Sequence, residues 1–372
     1  MWKYHNPVRI RFGWNVLDEL PAILAGREVV LVTFPEAARA GLESRLGALL
    51  GPKLRHTIRD IEPNPEVAWF RARYSEFWKS HGGATIVAVG GGSVIDTAKL
   101  LMTSTAAATF DDLFAALAAG KQPEVAKASA LIAVPTTAGT GSEVTPWATL
   151  WDRSSDAPRK YSLHVEQTWP QAAVVDPALT LSAPESVTRN SALDALSHSL
   201  ESIWNVNSNP ISDTLAVEAA RGVIGTLPML LASPRDERLR TAMSRSSLMA
   251  GLAFSNTRTA LAHSISYEMT LKHGLPHGLA CSFPLPFVWE LAAGADAPRD
   301  AVLSRIFGAS EVKPWRRLAA FLEDVGVATR FEAYGVSPDE ARAMVAYALQ
   351  GARGRNFVNR KIIEAPAAPI PT

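Results

Sequence analysis

The first half of the chain alternates short apolar runs with longer stretches of helical spacing. Five runs consist mainly of β-branched and other apolar residues: Val8–Phe12, Glu28–Thr33, Thr85–Val89, Ala130–Val134 and Ala172–Val175. Largely apolar runs of this length are typical of strands covered on both faces, and the first run is expected at a sheet edge. Because helical stretches separate the runs, the pattern predicts right-handed crossovers and a mostly parallel sheet.

After about Ala183 the pattern changes to helical spacing with few strand signals. Four segments are predicted as helices: Arg189–Trp204, Ile211–Leu231, Asp236–Leu252 and Ser337–Leu349. The last segment opens with Ser337 as a predicted N-cap and Glu340 completing a capping box. The sequence therefore predicts an α/β domain over residues 1–183 and an all-helical domain over residues 184–372.

Composition and charge narrow the function classes. The 372 residues exceed what one hydrophobic core usually supports. Lys and Arg total 37 against 36 Asp and Glu, so the net charge of +1 favours neither nucleic acid nor an anionic membrane as a partner. The single cysteine, Cys281, excludes an intramolecular disulfide. We recognise no signal peptide and no uninterrupted apolar run of the roughly 20 residues that cross a bilayer, so we expect a cytoplasmic protein.

Two turns that contain glycine follow predicted strands. The strand Thr85–Val89 runs into Gly90-Gly91-Gly92-Ser93, where Ser93 is the predicted N-cap of the next helix. Glycine lets a ligand approach the backbone closely, and a helix N-terminus attracts phosphate. Taken alone, this turn is equally compatible with a connection that binds nothing, and it is not the G-x-G-x-x-G fingerprint. A second turn, Pro135–Glu143, follows another strand, and together the two turns predict a nucleotide site at one edge of the sheet.

Candidate metal ligands are concentrated in the second half. Asp194 and His198 stand four positions apart, which places both side chains on one helix face. Alone, such a pair is more often an ion pair at a helix surface. His263 and His277 add two imidazoles, although 14 positions of unbroken helix would separate them by roughly 21 Å.

A helix break removes that obstacle. Gly274 and Pro276 interrupt the helix between the two histidines, so the chain can fold back. One carboxylate and three imidazoles suit a borderline divalent ion such as Fe²⁺ or Zn²⁺. His273 lies nearby, and spacing alone leaves it open as a competing ligand.

Four stretches together resemble the iron-containing (group III) alcohol dehydrogenases: Gly90–Lys99, Pro135–Thr145, Asp194–Glu201 and Leu275–Gly278. The resemblance covers nearly the whole chain in the right order. It implies the dehydroquinate synthase-like architecture, with an α/β dinucleotide-binding domain, a helical metal-binding domain and an active site in the cleft between them. It further implies a small alcohol or aldehyde as substrate, and we expect a homodimer.

The resemblance assigns roles position by position. It implies Asp194, His198, His263 and His277 as ligands of Fe²⁺, with Zn²⁺ as the alternative, and its ligand spacing disfavours His273. The implied positions for NAD or NADP are Asn64, Gly91, Gly92, Ser93, Thr136, Thr137, Thr145, Lys160 and Leu179. The implied substrate pocket contains Trp147, Thr149 and Phe254. Without the resemblance, loop or packing roles would explain Asn64, Lys160 and Leu179 better.

The chain departs from the family pattern at two positions. Many members have an aspartate that contacts the adenosine ribose at the end of the second strand, whereas here Phe34 follows Thr33. Because no carboxylate would repel a 2′-phosphate, NADP stays open beside NAD. Many members also place a histidine four residues after the third ligand, where this chain has Tyr267. A tyrosine hydroxyl is therefore the predicted proton relay.

The local sequence from Thr257 to Phe283 is most similar to the branch that reduces phosphonoacetaldehyde to 2-hydroxyethylphosphonate. Arg258, five residues before His263, is the candidate partner of a phosphonate. A basic cluster offers further candidates, although solvated surface charge explains most of it better: Arg353, Arg355, Arg360 and Lys361.

In the predicted reaction the metal acts as a Lewis acid on the substrate oxygen, and the nicotinamide carries the hydride. Three other interpretations stay open at this point. One is a reductase of neutral short-chain aldehydes in the same family. Another is a lyase similar to the sugar-phosphate cyclases, which share the architecture and use NAD transiently. The third is a nucleotide-binding protein without catalytic activity.

Overall fold

The apolar runs of the first half form strands in the computed structural model, which describes residues 1–37, 41–154 and 158–359. In chain order the strands are Arg9–Phe12 (β1), Val29–Val32 (β2), Leu54–Ile58 (β3), Thr85–Gly90 (β4), Thr103–Ser104 (β5), Lys127–Ala128 (β6), Leu131–Pro135 (β7), Ala148–Asp152 (β8), Arg159–Leu163 (β9) and Ala172–Val175 (β10). The helices of this half are Leu20–Leu24 (α1), Leu42–Leu50 (α2), Val67–His81 (α3), Gly92–Met102 (α4) and Phe110–Ala118 (α5).

Six strands form one parallel sheet in the order β1-β10-β7-β4-β2-β3. The predicted parallel sheet is confirmed, with the first run at an edge. The pattern missed β3 at the opposite edge, because only one side of an edge strand is covered and this strand carries the exposed Arg55 and His56. It also missed two short antiparallel hairpins, β5–β6 and β8–β9.

Alternating side chains of each central strand enter two separate cores. In β2, Val30 and Val32 pack on one face of the sheet, while Val29 and Leu31 pack on the other. All four are fully buried, as the continuous apolar run predicted. The carboxyl ends of the strands are therefore fixed by cores on both faces.

The second half is helical, as predicted. Its helices are Glu185–Ile203 (α6), Pro210–Ala232 (α7), Glu237–Thr257 (α8), Leu261–Leu271 (α9), His277–Ser282 (α10), Leu285–Ala292 (α11), Ala297–Phe307 (α12), Pro314–Asp324 (α13) and Pro338–Gln350 (α14). The Ser337 hydroxyl accepts from Glu340 N–H at 3.3 Å, which confirms Ser337 as an N-cap. Helix α7 is long and apolar enough to cross a membrane by composition, with a mean hydropathy of 1.5, but Val217, Val223 and Leu227 lie in the helical core.

The described chain divides into two compact units. One contains Pro7–Thr137 and Ser142–Ala183 and holds the parallel sheet; we call it the sheet unit. The other contains Met1–Asn6, Ala138–Gly141 and the chain from Pro184 onward; we call it the helical unit. Two short segments of the predicted domain 1–183 therefore group with the helical unit.

Candidate metal centre and nucleotide-binding turns

The first glycine turn differs from the prediction at its helix start. Helix α4 begins at Gly92 with Gly91 as N-cap, so Ser93 lies inside the first turn and the predicted N-cap is wrong. The Ser93 hydroxyl instead accepts from the backbone N–H of Asn64 at 3.1 Å. Asn64 has a φ of 65°, in the left-handed region. This bond ties the Asn64 loop to the start of α4, and the first amides of α4 have no side-chain cap that would compete with a phosphate.

The two predicted turns adjoin each other in the sheet unit. Strands β4 and β7 are neighbours, and Gly90 is in register with Pro135. The Thr136 N–H donates to the Gly90 carbonyl at 3.0 Å, and a β-carbon on Gly91 would stand 3.5 Å from the Thr137 side chain. Both turns therefore meet at one sheet edge, which is where parallel sheets bind ligands.

The remaining predicted cofactor positions have different surroundings. Thr145 is buried, and Leu179 belongs to the apolar core on one face of the sheet. The Lys160 ammonium lies 5.1 Å from the centre of the Trp151 ring, across the β8–β9 hairpin. Packing in this core thus explains the burial of Leu179, while Lys160 places a positive charge beside the Trp151 ring.

Two glycines of the second turn allow close backbone packing within the helical unit. A β-carbon on Gly139 would lie 2.2 Å from the Ser191 carbonyl oxygen, and one on Gly141 would lie 2.7 Å from the α-carbon of Gly251. Both glycines are part of the helical unit, so they permit close packing of backbone against α6 and α8. Only the preceding residues, Thr136 and Thr137, adjoin the first turn.

A buried polar cluster joins α4 to the segments that contain Ser142 and Trp147. Lys99 on α4 is fully buried, and its ammonium donates to Ser142 Oγ at 2.8 Å and to the Trp147 carbonyl at 2.7 Å. The Ser142 hydroxyl donates to Asp96 Oδ1 at 2.6 Å, and the Thr149 N–H donates to Asp96 Oδ2 at 2.8 Å. The predicted pocket residues Trp147 and Thr149 are thereby fixed to α4 through their backbone.

The candidate metal centre in the helical unit is arranged around one carboxylate oxygen. Asp194 Oδ1 lies 3.4 Å from His263 Nε2, 3.6 Å from His198 Nε2 and 3.9 Å from His277 Nε2. Asp194, His198 and His263 are buried, and His277 is partly exposed. Helices α6, α9 and α10 supply the four side chains, and the break between α9 and α10 at Gly274 lets the two distant histidines meet.

Two atoms of this cluster show that its residues fit a cation. Within the described residues, Asp194 Oδ1 and His263 Nε2 are buried without a hydrogen-bond partner. Burial acts to raise the pKa of Asp194, but the imidazoles of His198 and His277, with His263, hold that pKa below its usual range. Burial lowers the pKa of His198 to about 4, so its ring is neutral and free to act as a ligand. A buried oxygen among imidazoles is the donor set of a divalent transition metal.

Glu201 is a functional candidate that the sequence analysis missed. It is fully buried, its Oε2 lies 2.6 Å from His263 Nδ1, and its Oε1 accepts from the His263 backbone N–H at 3.2 Å. A carboxylate in this position orients a metal-binding imidazole with Nε2 toward the ion. The signal was present in the sequence, because Glu201 stands seven residues after Asp194 on the same face of α6.

Cys281 also lies at the centre, four residues after His277 on α10. Single donor atoms of Asp194, His263, His277 and Cys281 all lie within 4.8 Å of one another. His273, the competing histidine, is placed elsewhere, with its Nε2 3.3 Å from Glu340 Oε1.

The predicted substrate and relay residues of the helical unit have different surroundings. The Phe254 ring stacks on His198 with centroids 4.0 Å apart. Burial raises the pKa of Tyr267, and the Arg353 guanidinium lies 5.4 Å from the centre of its ring. Arg258 is exposed and ends α8 with a φ of 67°. Arg360 and Lys361 lie outside the described residues.

Two adjoining turns at the carboxyl edge of a parallel sheet stand where such sheets bind nucleotides, and a carboxylate among three imidazoles is a donor set that suits a divalent metal. Comparison with known proteins agrees. Residues 7–177 match the profile of the iron-containing alcohol dehydrogenases, and residues 188–362 match the C-terminal profile of the same family. The chain belongs to the iron-containing alcohol dehydrogenases and is an oxidoreductase that acts on alcohols, which excludes the lyase interpretation.

Individual relatives cover almost the full length. The chain is 30% identical to long-chain-alcohol dehydrogenase 1 of Geobacillus thermodenitrificans, over 92% of this chain and 88% of that one. The sulfoacetaldehyde reductase of Bifidobacterium kashiwanohense, solved in complex with NAD⁺, superposes with a TM-score of 0.87 at 28% identity, covering 100% of this chain and 99% of that one. The alcohol dehydrogenase of Oenococcus oeni gives 0.85 at 25% identity, with 98% of each chain covered.

Proposed function

We propose that this protein is a metal-dependent, NAD(P)-linked reductase of a small anionic aldehyde, and that the aldehyde is phosphonoacetaldehyde, which it reduces to 2-hydroxyethylphosphonate. The similar structure of a sulfoacetaldehyde reductase with NAD⁺ supports this proposal, because sulfoacetaldehyde is also a two-carbon aldehyde with an anionic group. A cytoplasmic location is part of the proposal, supported by the burial of α7 residues in the helical core.

When bound, Fe²⁺ or Zn²⁺ supplies Lewis acidity at the carbonyl oxygen, and a reduced nicotinamide supplies the hydride. Asp194 and the three histidines around it would hold the ion. The amides of Gly92 and Ser93 would bind the pyrophosphate at the start of α4. The hydroxyl of Tyr267, whose pKa burial raises, is protonated at neutral pH and would be the proton donor to the product oxygen.

The conformation of Arg258 is the observation that carries the choice of an anionic substrate. Its φ of 67° and ψ of 176° fall in a region that favours glycine. The backbone is held there by two hydrogen bonds, from Arg258 N–H to the Phe254 carbonyl at 2.8 Å and from Asn205 Nδ2 to the Arg258 carbonyl at 3.1 Å. An arginine in this conformation costs of order 1–3 kcal/mol, so its guanidinium is expected to serve function.

A second arginine lies within the same part of the helical unit. Arg353 donates to the Thr259 hydroxyl, next to Arg258 in the chain, and its guanidinium covers the Tyr267 ring. The Arg353 guanidinium, which covers the ring of the proposed proton donor, would suit a phosphonate, which accepts several charge-assisted hydrogen bonds. We expect Arg258 to add a second guanidinium.

Arg258→Gly tests the substrate assignment, because it removes the guanidinium and relieves the backbone. The kcat/KM for phosphonoacetaldehyde should fall roughly 10-fold or more, the value of a charged hydrogen bond. The kcat/KM for propanal should change far less, and the unfolding midpoint should not fall. The control is Arg235→Gly, which removes an exposed arginine from the turn between α7 and α8 and should change the kcat/KM of neither substrate.

Two outcomes would contradict the assignment. An equal loss for both aldehydes in Arg258→Gly would make Arg258 a structural residue. A wild-type preference for neutral aldehydes would replace the phosphonate with a neutral substrate, as the long-chain-alcohol dehydrogenase relative would favour.

Cofactor choice depends on the end of β2. Thr33 donates through its hydroxyl to the Val89 carbonyl at 2.9 Å, and Phe34 stands at the position where many family members have the aspartate that contacts the ribose. We therefore propose that NADPH is accepted beside NADH. Phe34→Asp should lower kcat/KM with NADPH by at least about 10-fold, because like charges repel, while NADH is retained. A wild type that already rejects NADPH would contradict this proposal.

A further inference from the structure

Three asparagine side chains hold the short connection between α8 and α9 in the helical unit. Each of the carbonyls of residues 257–259 accepts a hydrogen bond from one of these side chains. In the order of the carbonyls, the donors are Asn207 Nδ2 at 3.2 Å, Asn205 Nδ2 at 3.1 Å and Asn356 Nδ2 at 2.9 Å. The backbone of the connection is therefore fixed by side chains that lie outside it.

The middle residue of the connection has a conformation that requires support. Arg258 has a φ of 67° and a ψ of 176°, in a region that favours glycine. The side chain that binds its carbonyl, Asn205, is only 1% exposed, and its Oδ1 accepts from the Asn207 N–H at 3.0 Å. Since a backbone N–H can only donate, the oxygen of Asn205 faces Asn207 and its amide nitrogen faces the Arg258 carbonyl. The Asn205 amide thus opposes relaxation of a strained residue.

The two chain segments that carry Asn205 and Asn356 are paired with each other. Asn205 and Phe357 form an isolated antiparallel bridge. The Val206 N–H donates to the Asn356 carbonyl at 2.9 Å, and the Val358 N–H donates to the Trp204 carbonyl at 3.1 Å. Because backbone bonds fix one segment against the other, the amides of Asn205 and Asn356 are held in place for the connection that they bind.

The connection joins two helices that both contribute to the metal centre. Phe254, in the last turn of α8, stacks on the His198 ring with centroids 4.0 Å apart. His263 is in the first turn of α9, and its ring lies 4.7 Å from the His198 ring. Only residues 258–260 separate the two helices. The backbone angles of Arg258 therefore help to determine where His263 stands relative to His198.

We propose that Asn205 is a positioning residue of the metal centre. Its amide holds Arg258 at positive φ and thereby places His263 beside Asp194. This inference rests on the metal centre of the proposed function. The centre requires the backbone conformation of Arg258, and glycine at this position would adopt that conformation without the amide, because glycine adopts positive φ about as readily as negative φ.

Asn205→Asp tests the role of the amide. Aspartate keeps the size of the side chain and the acceptor for Asn207, but it removes the donor to Arg258. The Zn²⁺ affinity, measured in competition with a chelator, should fall by roughly 5- to 150-fold, the equilibrium equivalent of one strained residue. The sign is informative, because an added negative charge alone would strengthen the binding of a cation.

The matched control makes the same substitution at another buried asparagine of the helical unit. The side-chain oxygen of Asn209 accepts from the first amides of α7, and an aspartate caps a helix equally well. Asn209→Asp should therefore keep the Zn²⁺ affinity of the wild type. Asn356→Asp removes the neighbouring bond to Thr259 and should lower the affinity in the same direction as Asn205→Asp. It replaces Asn205→Asp in the test if that protein does not fold.

A double variant separates positioning from a general contribution to packing. In the background of Arg258→Gly, the additional change Asn205→Asp should lower Zn²⁺ affinity far less than it does in the wild type, because glycine does not need the amide. A role in packing alone would produce the same loss in both backgrounds.

The possible failures are distinguishable. Equal losses of Zn²⁺ affinity in the two backgrounds, or an unchanged affinity in Asn205→Asp, would overturn the positioning role and leave the proposed reductase intact. A wild type that binds no Zn²⁺ would overturn the metal centre itself, and this inference with it.

Discussion

The two units each bury a polar cluster, and the clusters differ in how completely their atoms are paired. In the sheet unit, the Lys99 ammonium has two acceptors, and both oxygens of Asp96 accept hydrogen bonds. In the helical unit, Asp194 Oδ1 and His263 Nε2 lie 3.4 Å apart, and neither has a hydrogen-bond partner among the described residues. Burial is comparable in the two clusters, so pairing is what distinguishes them.

This difference in pairing indicates that one cluster supports the fold and that the other binds a ligand. A buried polar network in which each charge is paired stiffens the chain around it, and the network around Lys99 joins α4 to the segments at Ser142 and Trp147. An unpaired buried acceptor costs free energy unless something else binds it. The cluster around Asp194 is therefore expected to be completed by a cation, while the cluster around Lys99 is complete.

The largest expected effect comes from removing a candidate metal ligand from the cluster around Asp194. His263→Ala should deplete bound metal and reduce turnover by more than the roughly 100-fold upper effect of losing an outer partner. Metal content by elemental analysis and aldehyde reduction would be measured on the same preparation. His273→Ala is the matched control, because His273 lies beside Glu340 instead of the cluster, and it should keep metal and activity. Full metal content in the His263→Ala protein would refute the assignment.

The next effect comes from breaking the complete cluster. Lys99→Met should lower the free energy of unfolding by about 3–5 kcal/mol, the cost of removing one partner of a buried pair. The metal content of the folded fraction should be unchanged. The control Arg55→Met removes an exposed pair with Glu28 and should change stability little. If Lys99→Met were neutral in denaturant titrations, the network would not support the fold.

The cluster around Lys99 should make the stability of the folded protein depend on pH, and the shifted pKa of Lys99 fixes the sign. Burial lowers the pKa of Lys99 from 10.5 to about 8. Between these values the unfolded chain binds more protons than the folded one, so the stability of the wild type should rise with pH across this window. The Lys99→Met protein should lack this rise, which denaturant titrations at several pH values would detect.

Sequence patterns predicted the features that depend on local spacing. The central strands could be predicted because apolar side chains fill both of their faces. The pair Asp194–His198 could be predicted because four residues make about one helical turn. The convergence of His263 and His277 depended on where the chain folds back between α9 and α10, which spacing permitted but did not fix. The edge strand Leu54–Ile58 was missed because its exposed positions break the apolar pattern.

Other features were misassigned because one residue type serves several physical purposes. The missing side chains of Gly139 and Gly141 make room for α6 and α8, which the local sequence of the predicted ligand turn did not indicate. Ser93 has the chemistry of an N-cap, but the helix begins earlier, and its hydroxyl accepts from Asn64 instead. Such choices depend on which backbone approaches each residue in the folded chain, and that information is absent from local sequence.

The smallest expected effect comes from Glu201. It tests whether a residue that is not itself a metal ligand orients the ligand His263. Glu201→Gln keeps the shape of the side chain but removes the charge 2.6 Å from His263 Nδ1. The imidazole would lose its fixed orientation and part of its basicity, so metal affinity should fall roughly 10- to 100-fold in competition with a chelator. Glu143→Gln is the matched control, because it changes a buried carboxylate of the sheet unit and should leave metal affinity unchanged. Equal affinities in wild type and Glu201→Gln would mean that helix packing alone orients His263.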